Sequence, residues 1–371
     1  MKIGIEAQRI FRKKKHGMDI YALELIRALQ KLDHTNEYVV FVKPDSDECL
    51  HSSENMKVVK VKGATYVDWE QIWLPKAIKA AGVDVMHYTS NTAPLNSPVP
   101  YVVTLHDIIY MHSFSGGTIY QTAGHFYRKF IVPKITKKAS YVFTVSDFEK
   151  IQISKTLDIS DSKLKVIPNA YSSTFRQIAN KDTLNLIKEK YSLPDDFILF
   201  LGNEAPKKNL VNVLKSYAKY VDENPDPTQL VILESSHEQI LNHLAKIKRL
   251  DILDKISLPG YIMHSDLPKI YNLACLFLYP SLRESFGIPI IEAMACGTPV
   301  ITSITTAMPE VAGNAAYLVD PQNVDELTKA INELTNNIAL NSSIKEKGLK
   351  RAEDFSWKNT AFQTQNIYLS K

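Results

Sequence analysis

The chain has 371 residues, 45% hydrophobic and 23% charged, with a formal net charge of +4. At about 150 residues per domain this is an ordinary globular composition with room for two cores, which argues against a disordered chain. With no run of about 18 apolar residues it also argues against a membrane-spanning helix.

Cys49, Cys275 and Cys296 stand at unrelated spacings, with no CxxC pair and no histidine cluster. They predict neither a disulfide framework nor a zinc site, and a reducing, cytoplasmic setting follows. The first residues, "MKIGIEAQRI", read directly as a strand and not as an export signal. Charge is uneven: residues 1–180 hold 24 Lys and Arg against 17 Asp and Glu, and the remainder 20 against 23. The first half is therefore expected to meet something anionic.

In chain order, β-branched or aromatic runs at 2–7, 38–42, 57–61, 83–88, 101–106, 140–146 and 164–169 predict strands of the first half. Runs at 197–202, 229–234, 256–261, 276–281, 298–303 and 316–320 do so for the second. Amphipathic stretches separate several of them: Met18, Tyr21, Ala22, Leu25, Leu29 and Leu32 recur at helical spacing. Strands alternating with helices imply mainly parallel sheets covered on both faces. Thirteen strands exceed one compact sheet, and the polar stretch at about 171–194 has no strand signal. Domains are expected at 1–175 and 176–371. No repeat or low-complexity tract is present.

In doubly wound sheets, ligands bind outside the carboxyl ends of the strands. Five candidates follow a strand directly: Gly17, His106, Lys208, Gly260 and Glu284. If the two sheets face each other by these edges, the five converge on one interdomain cleft.

The stretch "ESFGIPIIEAMACGTPV" (284–300) reads as loop, helix and next strand, with Pro289 suited to a first helical turn and Gly297 to its end. Free backbone N–H groups at such a helix start form an anion site. Glu284 and Glu292 beside it would accept hydrogen bonds from neutral hydroxyls, such as those of a ribose and a hexose. Spacing alone favours a plainer account, acidic residues near a helix start. A glycosidase acid–base pair fits less well, since eight helical residues span roughly 12 Å against the roughly 5–10 Å such chemistry uses.

"LGNEAPKKNL" (201–210) sets Lys207 and Lys208 ahead of an amphipathic helix, where a diphosphate leaving group would need charge compensation. Lys207 by itself reads as a solvated surface lysine. His106 closes an apolar strand, with Asp107 beside it as an orienting carboxylate; a lone histidine in such a place is more often structural. The basic stretches are "FRKKKHG" (11–17) and "YRKFIVPKITKKAS" (127–140). In the second, Arg128, Lys129, Lys134, Lys137 and Lys138 alternate with Phe130, Ile131, Val132 and Ile135, which suits either a solvated face or contact with anionic lipid. No nucleic-acid motif accompanies the charge.

Taken in order, these segments resemble the GT-B-fold retaining glycosyltransferases of family 4, the glycosyl transferases group 1. The resemblance runs through the Gly17 loop, "VVTLHD", "FTVSDFEK", "KLKVIPNA", "LGNEAPKKNL", "LPGYIMHSDLPKIY", "YPSLRESFGIPIIEAMACGTPVITS" and "MPEVAGNAAYLVDP". It implies an α/β fold of two Rossmann-like doubly wound domains, acceptor-binding first and nucleotide-sugar-binding second. The last helix, about 355–371, would cross back onto the first domain.

It further implies that Glu292 bonds the donor ribose and Glu284 the transferred sugar. The N–H groups of Phe286, Gly287 and Ile288 would meet sugar hydroxyls and phosphate, and Lys208 the diphosphate. Gly17 would approach that diphosphate, Gly260 and Tyr261 would line the base, and His106 would lie near the reacting carbon. Catalysis would fall to His106, Glu284 and Lys208. Asn203, placed among the donor-binding residues, stands where many members carry arginine, Ser285 replaces a frequent glycine, and Asp19 a second glycine of the first loop.

The expected reaction is metal-independent and cofactor-free transfer of a hexose, mannose from GDP-mannose as first choice. The acceptor would be a growing lipid-linked or cell-surface glycan at the cytoplasmic membrane face. An epimerase or hydrolase on the same scaffold, or a non-catalytic partner of a glycan-assembly complex, are the alternatives.

Overall fold

The structure, a computed structural model, describes residues 1–112 and 119–369. Two compact units make up the chain: Met1–Asn169 together with Ser356–Lys371, and Ala170–Phe355. All thirteen expected strands form, and every ladder between them is parallel.

In the first unit the strands are β1 (Lys2–Glu6), β2 (Glu37–Val42), β3 (Met56–Lys60), β4 (Val85–Tyr88), β5 (Tyr101–Thr104), β6 (Tyr141–Thr144) and β7 (Leu164–Val166). They lie in the order β3-β2-β1-β4-β5-β6-β7. Side chains alternate across the pleat, so Tyr38, Val40 and Val42 of β2 join one buried cluster while Val39 and Phe41 join the other. The first cluster takes in Tyr21, Leu25 and Leu29 of the helix Gly17–Leu32, the face their spacing foretold.

That cluster also takes in Ala361 and Tyr368 of the terminal helix Trp357–Leu369. The Thr360 hydroxyl donates to the Pro168 carbonyl at 2.9 Å. His87 holds the Tyr368 hydroxyl at 2.5 Å and the Thr104 hydroxyl at 2.7 Å through its two ring nitrogens. Complete burial drives its pKa down to about 3, so the ring is neutral and the contact independent of pH in the ordinary range.

The second unit contains β8 (Phe197–Leu201), β9 (Gln229–Leu233), β10 (Ile256–Ser257), β11 (Leu276–Tyr279), β12 (Val300–Ser303) and β13 (Tyr317–Val319). Their order is β10-β9-β8-β11-β12-β13. Each sheet therefore reverses direction of growth once, between β1 and β4 and between β8 and β11, and those are the places where a doubly wound sheet opens a crevice for ligand.

Three positions differ from expectation. Gly17 is the first residue of a helix and not part of a loop. β5 ends at Thr104, leaving His106 in the following turn. β10 is only two residues long, so Gly260 and Tyr261 belong to a loop.

Candidate active site

The second unit's crevice is built from the turns after β8 and β11. After β8, Asn203 accepts from the Ala205 N–H at 3.0 Å and donates to Glu234 at 3.2 Å, which shapes the turn into the short 3-10 helix Pro206–Lys208. Asn209 then adopts a left-handed conformation, φ 64°, which its short polar side chain tolerates. Its amide donates to the carbonyls of Pro280 at 3.0 Å and Pro321 at 2.6 Å, tying this turn to the ends of β11 and β13.

So anchored, Lys208 donates to the Tyr279 hydroxyl and to Glu284 Oε1, both at 2.9 Å, and Tyr279 donates to the same Oε1 at 3.0 Å. Lys207 Nζ lies 3.6 Å from the other carboxylate oxygen. Burial raises the pKa of Glu284, but the two lysines and the hydroxyl more than offset it and hold the net shift downward. Glu284 is thus ionised and paired. The two residues that sequence assigned to separate parts of a donor hold one another here.

The Glu284 N–H donates to the Thr306 hydroxyl at 3.2 Å. Thr306 has φ 58°, a costly conformation for a β-branched residue and one that clusters at functional sites.

The helix Ile288–Ala295 begins where Pro289 predicted, with Gly287 at its cap at φ 103°. A Cβ there would lie 3.0 Å from Ile290 Cδ1, so both the torsion and the space call for glycine. The N–H groups of Phe286, Gly287 and Ile288 find no acceptor among the described residues. They are directed to the helix's positive end, which makes them anion donors.

Glu292, one turn on, is half-buried, and its carboxylate has no hydrogen-bonding or ionic partner among the described residues. Burial alone pushes its pKa up to about 8. An unpaired carboxylate in such a place costs stability, which sets Glu292 apart from an acidic residue decorating a helix start. Gly260, φ 77°, turns the loop after β10, and Tyr261 beyond it is 87% exposed, a free aromatic face.

In the first unit His106 is buried, its N–H donating to Asn91 Oδ1 at 2.7 Å and its Nε2 meeting the Thr89 carbonyl at 2.9 Å. Tyr21 packs edge-on at 4.6 Å. Because a carbonyl can only accept, Nε2 carries the proton. Burial lowers the pKa, so the ring is neutral with Nδ1 unengaged. Asp107 does not orient this ring: its carboxylate accepts from the Ile109 N–H at 3.1 Å. Gly17 has nothing within 4 Å of where a Cβ would stand, so its backbone is open to approach.

The basic helix Ile119–Lys138 divides its residues. Ile131, Val132 and Ile135 are core, whereas Phe126, Phe130, Lys134 and Lys137 are exposed at spacings of three and four. Arg128 leaves that exposed stripe, with its guanidinium 5.3 Å over the Tyr110 ring. The Lys138 ammonium donates to the Leu95 carbonyl at 2.8 Å.

Sequence reading missed Tyr279, Asn209 and Thr306, and it discounted Lys207. Only Tyr279 carried a signal, a hydroxyl at the end of an otherwise apolar strand that had to find a partner. No helix among the described residues is long and apolar enough to cross a membrane.

Residues 185–351 match the family model described as Glycosyl transferases group 1, and residues 16–174 the model described as Glycosyltransferase Family 4. O-antigen chain mannosyltransferase B of Escherichia coli is 31% identical over 233 residues, 62% of this chain and 60% of that protein. A serotype-specific mannosyltransferase WbdA, also of Escherichia coli, is 29% identical over 240 residues, 63% of this chain but 29% of its own length. The chain thus spans less than two thirds of either relative. Anabaena Alr3699/HepE, solved in complex with UDP, superimposes with a TM-score of 0.76 over 100% of both chains at 18% identity, a likeness of fold.

Proposed function

The chain belongs to the family 4 glycosyltransferases, glycosyl transferases group 1, and on that premise we propose that it transfers a hexose from a nucleotide-sugar donor with retention of configuration. Mannose from GDP-mannose is the first choice, in keeping with the mannosyltransferases among its relatives. The observation that carries the reading is one crevice holding the Lys208–Glu284 pair, three unengaged N–H groups and the unpartnered Glu292.

In this reading Lys208 and the N–H groups of Phe286, Gly287 and Ile288 take the diphosphate, supported by Lys207. Glu292 accepts from the ribose hydroxyls and Glu284 from the transferred sugar, while Tyr261 offers the base a stacking face. His106, neutral and with Nδ1 free, can accept from a sugar hydroxyl. During transfer the bond from C1 to the phosphate oxygen breaks as the bond to the acceptor oxygen forms on the same face. The acceptor proton passes to the departing phosphate. Catalysis then rests on positioning and on stabilising the leaving group's charge, with lysine and backbone N–H supplying the positive charge and no metal required.

The acceptor in this reading is a lipid-linked or cell-surface glycan, approached at the cytoplasmic membrane face. Phe126 and Phe130 beside Lys134 and Lys137 suit peripheral contact with anionic lipid. Incubation with GDP-mannose and a mannose-terminated acceptor, with and without chelator, tests the reaction. An α-linked product formed equally in both is expected. A β-linked product would contradict retention, and loss of turnover in chelator would contradict metal independence.

A further inference from the structure

The first unit has a crevice of its own, and its lining is chemically unlike that of the second. A pocket of about 270 Å³ opens at the carboxyl ends of β1 and β4, walled by Arg9, Arg12, Arg128, Tyr66, Ser90 and Thr92 among others. Two of the arginines follow β1 and the third comes from the helix Ile119–Lys138, so they lie far apart in sequence. None of the three guanidiniums is in an ion pair among the described residues. The Nε atoms of Arg9 and Arg128 are buried without an acceptor. Arg9 rests 5.0 Å over the Tyr66 ring and Arg128 5.3 Å over the Tyr110 ring, aromatic faces that hold a guanidinium in place without neutralising it.

The nearby acids are beyond ion-pair distance of the guanidiniums, with Glu6 and Asp19 attracting Arg9 only at longer range, and their hydrogen bonds go to other groups. Glu70 is buried, accepting from the hydroxyls of Tyr127 and Thr92, both at 2.5 Å, and burial raises its pKa. Glu6 accepts from the N–H groups of Gln8 and Thr89, and burial raises its pKa also. Asp19 is spent on the His16 N–H at 3.0 Å and leaves Oδ1 unpaired. Unpaired buried charge is costly. Three guanidiniums without ion pairs around one small cavity, the Nε of two of them buried, with neutral hydroxyls and amides for its floor, suit an anion carried on a sugar.

We propose that this pocket binds a phosphate group attached to the acceptor glycan, so that the acceptor is a phosphosugar, free or in phosphodiester linkage to a lipid carrier. The proposal rests on the transferase reading and names its acceptor class. Planar guanidiniums grip phosphate oxygens in pairs, while Ser90, Thr92 and Tyr66 offer hydroxyls to the sugar. On the helix wall, Gly124 has open space where its Cβ would be, so a side chain there would enter the cavity without straining the backbone.

The test is calorimetric titration of the full chain with α-mannose 1-phosphate, a short-chain prenyl phosphoryl mannose and neutral methyl α-mannoside, with GDP titrated in parallel. Phosphorylated probes should bind at least tenfold more tightly than the neutral one. That preference should be lost in Arg9→Gln/Arg12→Gln and blocked in Gly124→Leu, with GDP affinity unchanged in Gly124→Leu. A tighter diester assigns a lipid carrier and a tighter monoester a soluble phosphosugar; either supports the proposal. Equal binding of methyl α-mannoside would overturn it, as would phosphosugar binding lost in Lys208→Ala but indifferent to the arginines. GDP binding without phosphosugar binding would sink this proposal alone, and phosphosugar binding without GDP would sink the donor reading alone.

Discussion

Each sheet opens at a reversal of strand order, yet the two crevices are furnished in opposite ways. Between β8 and β11 the charges are matched: Lys208 and Lys207 surround an ionised Glu284, and the unsatisfied groups are backbone N–H and the lone Glu292. Between β1 and β4 no guanidinium is in an ion pair among the described residues; Glu6 and Asp19 attract Arg9 only at longer range, and the acids' hydrogen bonds go to neutral groups. A matched site can exchange partners, releasing Lys208 to a diphosphate and Glu284 to hydroxyls with little net change in charge. An unmatched one requires a ligand that brings the missing sign. On these proposals the same topology would serve two ligands because the loops, and not the sheet, carry the chemistry.

The strongest way to break this contrast is to unmatch the second crevice. Lys208→Ala is expected to lower turnover by about 10²–10³-fold, the scale of losing one charge-stabilising group in a transition state, while circular dichroism shows a folded chain. Full turnover would remove Lys208 from the mechanism.

Backbone comes next. Gly287→Ala forces an L residue to φ 103° and crowds Ile290, which should cost about 1–3 kcal/mol in a denaturant melt. It should also abolish nucleotide binding measured by calorimetry, since the three N–H groups would move.

A smaller effect concerns pH. Glu292 has its folded-state pKa raised by burial to about 8 from an ordinary 4.5. The folded chain therefore binds the proton more tightly, and the stability present below pH 4.5 is lost as pH rises towards 8. Glu292→Gln should flatten that loss and be the more stable protein at pH 8. If Glu292 accepts from the donor ribose as proposed, its ionised form does so, and nucleotide affinity in the parent should rise between pH 6 and 8, by no more than tenfold per unit. The glutamine variant should show no such rise.

Smallest is Tyr261→Ala. The residue is 87% exposed and supports nothing in the fold. Its melting temperature should be unchanged, and affinity for the nucleotide should weaken several-fold through loss of a stacking face, as read by the same calorimetry.

The second crevice was far more legible than the first. Its parts lie in two short stretches, 201–210 and 284–292, each directly behind an apolar strand, so linear spacing and helix chemistry suffice to find them. What spacing could not show is that Glu284 and Lys208 meet, because that contact depends on Asn209 tying one turn to the ends of two other strands. The first crevice draws on residues 9, 12, 66, 90–92 and 127–128, and only the order of the strands brings them together. Arg128 shows the difficulty. In sequence it belongs to a basic stretch, whereas helical geometry turns it away from its neighbours and onto Tyr110. The strands themselves were plain throughout, since buried parallel strands are continuous apolar runs.

The most direct measurement is calorimetric titration of nucleoside diphosphates, GDP and UDP first, into the parent chain, Lys208→Ala and Arg9→Gln/Arg12→Gln. One nucleotide is expected to bind the parent, Lys208→Ala to lose it, and the double arginine variant to keep it. Nucleotide binding that survives Lys208→Ala but disappears with the arginines would place the donor in the wrong crevice and contradict the account.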